Sequence, residues 1–179
     1  MKNAQTKIDY SSTAMRVWKT VPEDVMAEVM RNKLYVSDPP TIYHANASIH
    51  IGSSLLIYVE GMKLGAVYCA PVGVFLTGGT QVVMPDVVFV SNNSQVVITR
   101  KGIHGAPDLL IEILSPSTRR RDLTMKKGVY EEAGVKEYWL VDPETKNTQG
   151  YFLESKRYGE PLLMNSELYI RTLNKTINF

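Results

Sequence analysis

A glutamate inside a run of aliphatic residues is the feature of this 179-residue chain that most restricts its fold. The segment 109–114 is short and apolar on both sides of Glu112, which predicts a central strand buried on both faces. Side chains alternate along a strand, so Asp108, Leu110 and Glu112 share one face. A carboxylate in such a strand costs free energy unless a cation or hydrogen-bond donors compensate it. A bound metal ion is the obvious compensation, so we expect a functional site at Glu112.

A second acid stands at the start of another apolar run. Asp86 follows Pro85 and precedes Val87 to Val90. Two carboxylates from neighbouring strands can bind a hard divalent cation through their oxygens. Mg²⁺ in such a site retains waters, one of which can act as the nucleophile, and the ion neutralises charge on a phosphate. Asp86 and Glu112 together therefore predict metal-assisted phosphate chemistry.

A lysine on the helix after the Glu112 strand can complete this site. Asp122, Lys126 and Tyr130 are spaced four residues apart and share one helix face. If that face packs on the sheet, Lys126 points towards it. Phosphodiester hydrolysis benefits from a positioned cation near the attacking water or the phosphate. Asp122 is expected to be a first-turn acid or an ion-pair partner of Lys126.

The order of predicted elements indicates a mixed α/β (α+β) chain. No repeat or linker is visible, so residues 1–179 are predicted to form a single domain whose first ten residues are loosely ordered. The first half of the chain is predicted to contain a short helix from Pro22, a hairpin over 27–36 turning at Arg31-Asn32, and a helix over 43–60 with Gly61 just past its end. Strands are then predicted over 66–76, 81–90 and 108–114, followed by a helix capped by Ser117 or Thr118 and ending at Gly134. A strand over 135–141 and edge strands over 148–154 and 161–171 complete the prediction. The segments 95–106 and 172–179 give no clear pattern.

The composition excludes only a few classes of protein. A net charge of +2 with a pI of about 8.6 permits a nucleic-acid partner without requiring one. The single cysteine, Cys69, excludes an intramolecular disulfide and lies in an apolar stretch, where we expect it to be buried and unreactive. The N-terminus lacks the apolar core of a signal peptide, and no apolar run is long enough to cross a membrane. These features favour a cytoplasmic protein without a membrane partner.

Pro85-Asp86 and the segments 106–118, 121–126 and 130–143 resemble the Uma-type restriction endonuclease family of the PD-(D/E)xK nuclease superfamily. The resemblance covers roughly residues 20–160 and is strongest over 105–143. It implies a restriction-endonuclease-like mixed central sheet flanked by helices. It also implies a metal-dependent endonuclease that hydrolyses DNA phosphodiester bonds. We expect a homodimer, because two copies would place two sites on the two strands of a duplex, which suits double-strand cutting. In the Uma-type variant the superfamily lysine moves from the strand to the next helix, and here Leu114 stands at the first position and Lys126 at the second.

The resemblance also implies roles for individual residues. Asp86, Glu112 and Lys126 would be catalytic, and Glu28, Asp86 and Glu112 would bind Mg²⁺ or Mn²⁺. Glu28 lies in the first strand of the hairpin, although the family's usual Asp-Gly turn is replaced here by Arg31-Asn32. His44 matches a histidine near the start of the family's first long helix. The residues expected to support the metal ligands or contact the substrate are His44, Asp108, Ser115, Arg119 and Arg121.

Four of these supporting residues have simpler alternatives. Asp108 lies about 13 Å along the strand from Glu112, at roughly 3.3 Å per residue, so it can instead fix the start of the strand. The run that includes Arg119 and Arg121 can grip phosphates or form a solvated charged surface. His44 can support the site or be an ordinary core histidine.

Two further functions stay open beside the endonuclease. One is a nucleic-acid-binding or regulatory module that keeps the nuclease fold with little turnover. The other is a metal-dependent hydrolase that acts on a smaller phosphorylated substrate, because a fold alone does not fix the substrate. Salt-dependent DNA binding would favour the endonuclease or the nucleic-acid-binding module over the hydrolase of smaller substrates.

Overall fold

A computed structural model describes residues 8–179 as mixed β-sheets flanked by a few helices, which confirms the predicted α+β class. The helices are α1 (Thr13–Trp18), α2 (Ile42–Gly61), α3 (Arg119–Arg121) and α4 (Lys127–Ala133), with a π-helical turn (Asp122–Lys126) joining α3 to α4 and short 3₁₀ turns at Thr77–Gly79 and Arg171–Leu173. The strands are β1 (Ala27–Met30), β2 (Lys33–Val36), β3 (Gly65–Cys69), β4 (Val74–Leu76), β5 (Gln81–Val83), β6 (Val87–Ser91), β7 (Val97–Thr99), β8 (Gly102–His104), β9 (Leu109–Ile113), β10 (Glu137–Val141), β11 (Asn147–Glu154), β12 (Arg157–Tyr158), β13 (Leu162–Asn165), β14 (Glu167–Ile170) and β15 (Lys175–Asn178).

These strands form two large sheets. The first has the order β2-β1-β5-β4-β8-β7, and the second has the order β12-β11-β10-β9-β6-β3 with β13 added beside β11. In the second sheet β9 runs parallel to β10 and antiparallel to β6. All five residues of β9 are buried, as the apolar composition of this strand predicts. The Glu112 strand is therefore central, and the Asp86 segment leads into its direct neighbour β6.

The two faces of the second sheet have different partners. On one face, Leu110 and Tyr138 pack with the helix residue Tyr130 and with Leu76 of the first sheet. On the other face, Ile111 and Trp139 pack with α2 and with β14 and β15. Of the α2 residues that recur at helical spacing in the sequence, Ala47, Ile51 and Leu55 are buried there, and Tyr58 is half-buried against the same cluster. Glu112 shares the face of Leu110, so its carboxylate points towards α3, α4 and the first sheet.

The predicted hairpin and the helix before β10 are both observed. β1 and β2 pair antiparallel, and Arg31 and Asn32 take φ values of 48° and 58°, the left-handed conformation that such a tight turn requires. The helix ends at Gly134, which has φ 88°. Its start differs from expectation: Thr118 precedes α3 without a capping hydrogen bond from its side chain, and Ser115 Oγ instead accepts the Thr118 amide at 3.3 Å.

Several predicted boundaries are wrong. Pro22 begins only a turn, closed by the Val25 amide on the Pro22 carbonyl, and the short helix lies earlier, at α1, where the Ser12 side chain caps it. Each of the predicted strands 66–76 and 81–90 is two strands, because the chain changes from one sheet to the other within both segments. The segment 148–154 is not an edge strand, since β11 pairs with β10 on one side and with β12 and β13 on the other. Gly61 is the last residue of α2 rather than the residue after it.

The expectation for the first ten residues falls partly outside the described residues, which exclude 1–7. Residues 8–10 differ from it. Ile8 is buried against Met15 and Phe75, and the Asp9 amide donates to the Gly79 carbonyl at 3.2 Å. Among the described residues, no helix has the length and apolar character needed to cross a membrane.

The buried carboxylate of Glu137, away from Glu112, fixes the turn at residues 171–173 against the central sheet. Glu137 is fully buried in β10 and accepts hydrogen bonds from Trp139 Nε1 at 2.8 Å and from the Arg171 and Thr172 amides at 2.9 and 2.8 Å. These bonds tie the 3₁₀ turn after β14 to the central sheet. Hydrogen bonds to a charged group contribute more than neutral ones, about 1.5–3 kcal/mol.

We therefore expect Glu137→Gln to lower the free energy of unfolding by about 2 kcal/mol, because the amide nitrogen cannot accept from these donors. Urea denaturation at neutral pH measures the change. Glu154→Gln is the matched control, since Glu154 contacts the Arg171 side chain at 2.8 Å on the surface, and an exposed pair is worth less than about 1 kcal/mol. Equal effects of the two substitutions would contradict a structural role for the Glu137 carboxylate.

Candidate active site

Glu112 and Lys126 meet in the interior beside Tyr130. Lys126 Nζ lies 2.9 Å from Glu112 Oε1, and the Tyr130 hydroxyl donates to the same oxygen at 2.6 Å. All three residues are buried. The helix face expected from the spacing of four is therefore the one that packs on β9. The π-helical turn carries both Asp122 and Lys126, and such widened turns are frequent at functional sites.

Two further carboxylates surround the lysine. Lys126 Nζ lies 2.9 Å from Glu28 Oε1 and 3.5 Å from Asp122 Oδ1. Glu28 reaches this point because β1 pairs with β5, and the Met84 amide after β5 donates to Glu28 Oε1 at 2.8 Å. Glu28 Oε2 and Asp122 Oδ1 are buried without a hydrogen-bond partner in the described part of the chain. Lys126 thus lies among three acids from three separate segments.

Asp86 and His44 stand at the other side of the cluster. Asp86 Oδ2 accepts the Ile113 amide at 2.7 Å, which fixes Asp86 against the end of β9. His44 Nε2 lies 3.2 Å from the same oxygen. His44 occupies the first turn of α2, where Thr41 caps the helix and accepts the His44 amide. The first turn of α2 therefore places His44 beside the Asp86 carboxylate.

A cavity of about 390 Å³ opens onto this cluster. The expected site residues in its lining are Glu28, His44, Asp86, Glu112, Ser115, Arg121 and Lys126. Its remaining walls are largely apolar and come from the start of α2, the loop before it and the connections that flank β3 and β6. A cavity with apolar walls and a few converging polar groups is the usual form of a binding or catalytic site.

Arg121 is the cation at the rim of this cavity. Its Nη2 donates to Ser37 Oγ at 2.9 Å and lies 3.6 Å from Glu28 Oε2, while its guanidinium stacks over Tyr35 at 5.3 Å. Arg121 Nε is buried without a partner among the residues that the structure describes. The guanidinium is therefore held in place with donor capacity still unused.

Two of the residues expected to support the site lie elsewhere. Asp108 accepts Lys136 Nζ at 2.6 Å and the Ser91 amide at 2.8 Å, at the far end of β9. Arg119 donates to Asp142 at 2.8 Å, and its side chain is half exposed. Neither residue lines the cavity. For Asp108 this agrees with its alternative interpretation, the fixing of the strand start.

The structure also places residues at the site that the sequence did not single out for it. The Tyr130 hydroxyl contacts Glu112, and Ser37, Thr118 and Cys69 line the cavity. The expectation of a buried Cys69 is wrong: the residue is exposed, because β3 is an edge strand of its sheet. Partial burial and the nearby Asp86 raise the pKa of the Cys69 thiol, which favours the protonated, unreactive form.

The charges in the cluster raise the proton affinity of its members. Burial raises the pKa of Glu112 well above its ordinary value, opposed by Lys126 and reinforced by the Asp122, Asp86 and Glu28 carboxylates. Burial by itself lowers the pKa of Lys126, but the carboxylates of Glu112, Glu28 and Asp122 outweigh it and raise that pKa well above its usual range. Burial also lowers the pKa of His44, while the hydrogen bond and charge of Asp86 reverse this and raise the pKa. The neighbouring carboxylates therefore cause the upward shifts of the Lys126 and His44 pKa values, and they add to the effect of burial on the pKa of Glu112.

That excess suits a hard divalent cation. Three carboxylates, those of Glu28, Glu112 and Asp122, contact the two permanent cations Lys126 and Arg121, and the charge of Asp86 also acts on Glu112. Oxygen donors are the ligands that Mg²⁺ and Mn²⁺ prefer. The buried Glu28 Oε2 atom has no hydrogen-bond partner within residues 8–179. In the same residues no three acidic, histidine or cysteine side chains converge closely enough to hold a metal, since Lys126 Nζ lies between Glu28 and Glu112. The donor chemistry fits a metal ion, with the lysine ammonium supplying the positive charge in this arrangement.

Comparison with known proteins assigns the chain to a family. The model of the family Uma2, described as "Putative restriction endonuclease", matches residues 14–173. The chain belongs to the Uma2 family. This match confirms the resemblance seen in the sequence motifs and extends it beyond them in both directions.

A solved structure shares the fold of this Uma2 chain. It is the crystal structure of a protein from Anabaena variabilis described as "a putative nuclease belonging to DUF820", with a TM-score of 0.70, 17% sequence identity and coverage of 88% of each chain. At that identity the likeness shows the fold alone, and it confirms the predicted nuclease-like fold class. A search of the curated proteins finds no match.

Proposed function

We propose that this Uma2-family chain is a divalent-metal-dependent endonuclease that hydrolyses DNA phosphodiester bonds. The observation that carries the proposal is the meeting of Glu28, Asp86, Glu112 and Lys126, from four separate segments, at one cavity. Family membership supports nuclease chemistry in general. Three acids and a lysine in a partly apolar cavity are the groups that metal-assisted phosphodiester hydrolysis uses.

In the proposed mechanism Glu28, Asp86 and Glu112 would hold Mg²⁺ or Mn²⁺, and the bound ion would supply neutralisation of phosphate charge and a lowered pKa of water. Lys126 donates hydrogen bonds from its ammonium to the attacking water or to a phosphate oxygen. The raised pKa of Lys126 keeps this group charged at neutral pH. The Tyr130 hydroxyl fixes the Glu112 carboxylate, and the Ile113 amide fixes Asp86.

Three residues have supporting roles in this mechanism. His44 orients Asp86 through its contact of 3.2 Å. Arg121, at the cavity rim, binds a phosphate oxygen with the donor that the protein leaves unpaired. Ser115 lines the cavity at the end of β9 and is a further donor to the substrate. Asp108 and Arg119 have no place in the mechanism, because their contacts lie outside the cavity.

Incubation of the purified protein with supercoiled plasmid tests the proposal. We expect nicked or linear DNA with Mg²⁺ or Mn²⁺ and none with EDTA. Asp86→Asn, purified in parallel, is the control. It keeps the size of the side chain but loses a charged ligand, and its activity is expected to fall about 10³-fold, the equivalent of several kcal/mol.

Each contrary outcome points to a different function. Equal cleavage by Asp86→Asn would assign the activity to a contaminant. Salt-dependent DNA binding by a wild-type protein that does not cleave would favour the nucleic-acid-binding module. Metal-dependent turnover of small phosphate esters without DNA binding would favour the smaller-substrate hydrolase. The homodimer stays a prediction, which sedimentation of the purified protein tests.

A further inference from the structure

A hairpin with two basic residues at its turn lies beside the active-site cavity. β7 and β8 pair antiparallel, and Arg100 and Lys101 form the turn between them. β7 is the edge strand of its sheet, and residues 97–101 are all exposed. Within residues 8–179 neither Arg100 nor Lys101 makes a salt bridge. Both charges are therefore available to a partner.

The position of this turn is fixed by the chain beneath it. The Ile103 amide donates to the Gly73 carbonyl at 2.9 Å, and the Lys101 amide donates to Thr99 Oγ1 at 3.2 Å. Gly102 has φ 137°, and a Cβ atom there would lie 2.2 Å from the Gly73 carbonyl oxygen. Only glycine permits this close approach. A preorganised turn leaves only the two basic side chains to be ordered on binding, because the backbone that carries them is already fixed.

The surface under the hairpin joins the active site. A second cavity of about 270 Å³ is lined by Tyr68, Ile98, Arg100, Lys101 and their neighbours, with no acidic residue among them. Pro71 lines both this cavity and the active-site cavity. A ligand that extends out of the catalytic cavity past Pro71 therefore reaches the basic turn.

The charge distribution makes this a suitable route for a polyanion. The net charge of the chain is only +2, yet residues 61–107 contain a single acid, Asp86, which lies in the active site. The same stretch contains Lys63, Arg100 and Lys101. Because the lining of the second cavity holds Arg100 and Lys101 and no acid, its charge favours a polyanion on the side of the active-site cavity at Pro71.

The active site needs such help to hold a polyanion. Its own cations are already engaged: Lys126 with three carboxylates, and Arg121 with Glu28 and Ser37. Arg119 is paired with Asp142 outside the cavity. Affinity for a nucleic-acid backbone comes mainly from cations that neutralise phosphates. Most of that contribution must therefore come from cations outside the carboxylate cluster, because Arg121 keeps a single buried unpaired donor, Nε, in the described part of the chain.

We propose that Arg100 and Lys101 bind backbone phosphates of the DNA duplex on one side of the scissile bond, an inference that rests on the proposed nuclease function. Contacts of this kind position the duplex without reading its sequence. The turn holds the substrate in register with the cavity, and Tyr68 and Ile98 supply the floor on which the backbone lies.

Binding of a short fluorescein-labelled duplex, measured by fluorescence anisotropy across a salt series, tests the inference. Glu112→Gln serves as the parent so that no cleavage occurs. Arg100→Gln/Lys101→Gln is compared with Lys156→Gln/Arg157→Gln, which removes the same charge from another hairpin, at its turn residue Lys156 and at Arg157, the first residue of β12, whose guanidinium lies 3.3 Å from Glu131. That turn joins β11 to β12, at the opposite edge of the second sheet from β3, which carries Tyr68.

The hairpin variant is expected to bind about tenfold or more weakly near 0.1 M salt. Its plot of log affinity against log salt should be shallower by about two, at about 0.9 per lost phosphate contact. The control pair should bind within about twofold of the parent, and thermal unfolding should show that both variants fold. Unchanged affinity and slope in the hairpin variant would overturn the inference.

The two proposals fail in different ways. A wild-type chain that cleaves plasmid, with a hairpin variant that binds and cleaves equally well, would leave the nuclease function intact and remove the role of Arg100 and Lys101. A wild-type chain that neither binds nor cleaves DNA would overturn both. Equal losses in the hairpin and control variants would show that net charge alone governs binding, and would also overturn the specific role of the turn.

Discussion

A Glu112→Gln variant is expected to lose DNA cleavage by about 10³-fold or more while it keeps its fold and its affinity for DNA. The glutamine oxygen can still accept from Lys126 Nζ and the Tyr130 hydroxyl, which bind Glu112 Oε1 at 2.9 and 2.6 Å. The negative charge that the proposed metal ion requires is lost. Activity should therefore fall much further than stability.

The stability of this variant has an expected pH dependence. Burial and three neighbouring carboxylates raise the pKa of Glu112 in the folded protein above its ordinary value of 4.5. Between those two pKa values the folded state holds a proton that the unfolded state has released, so the wild type loses stability as pH rises above about 4.5. Glutamine cannot titrate, and the Glu112→Gln variant should show a weaker loss over the same range.

Plasmid cleavage, duplex binding and urea denaturation, each done on the same preparations, measure these effects. Glu60→Gln is the control, because Glu60 is an exposed residue of α2. Cleavage by Glu112→Gln within about tenfold of the wild type would remove Glu112 from the metal site. Loss of DNA binding together with cleavage, in a folded protein, would instead mean that the carboxylate acts in substrate binding.

Local sequence pattern was sufficient for the centre of this site. Glu112 interrupts a strand that is buried throughout. Lys126 lies on the helical segment that follows this strand, on the face that contacts Glu112. Both signals depend on spacing within a short segment, where strand alternation and helical periodicity determine which side chains share a face. The same reasoning fixed the inward face of α2.

Contacts between distant segments were beyond such reasoning. Glu28 and His44 were implicated only by the family resemblance, because β1 and the start of α2 reach the cluster through tertiary packing. Asp108 and Arg119 were expected to support the site, but Lys136 and Asp142 provide their partners. A polar residue near a catalytic strand pairs with the nearest opposite charge in three dimensions, which the sequence does not reveal.

The sheet boundaries were missed for a related reason. The segments 66–76 and 81–90 are continuous in hydrophobicity, and nothing in their composition marks the points at which the chain passes between sheets. One of these passages places Met84 against Glu28 and Asp86 against β9. The candidate active site therefore lies where the two sheets exchange strands, a position set by topology rather than by local propensity.

Lys126→Met is expected to lower the free energy of unfolding by about 3–5 kcal/mol at neutral pH without divalent cations. Lys126 Nζ lies within 3.5 Å of Glu28, Glu112 and Asp122, all of which are buried. Methionine fills a similar volume but leaves these acids without their common cation. Breaking a buried ion pair from one side is costly because the remaining charge has neither water nor a partner.

Lys127→Met is the matched control in urea denaturation. Lys127 follows Lys126 directly, but its Nζ lies 4.2 Å above the Tyr151 ring outside the cluster, and the loss of such a contact costs about 1 kcal/mol or less. The double variant Glu112→Gln/Lys126→Met should be less destabilised than the sum of the single changes, with a coupling energy of about 1–3 kcal/mol. Strict additivity would mean that Lys126 and Glu112 do not act as a pair in solution.

Divalent cations and a lower pH should each restore stability to the Lys126→Met variant. At acidic pH the carboxylates that lost their cation become protonated in the folded state, so the deficit relative to the wild type shrinks as pH falls towards 4.5. Mg²⁺ or Mn²⁺ binds the folded state and adds stability that grows with the logarithm of its concentration. That gain should be larger in Lys126→Met than in the wild type, because in the wild type the ammonium already lies between Glu28 and Glu112. Equal gains in both proteins would place the metal ion away from Lys126, and no gain in either would argue against a metal site in this cluster.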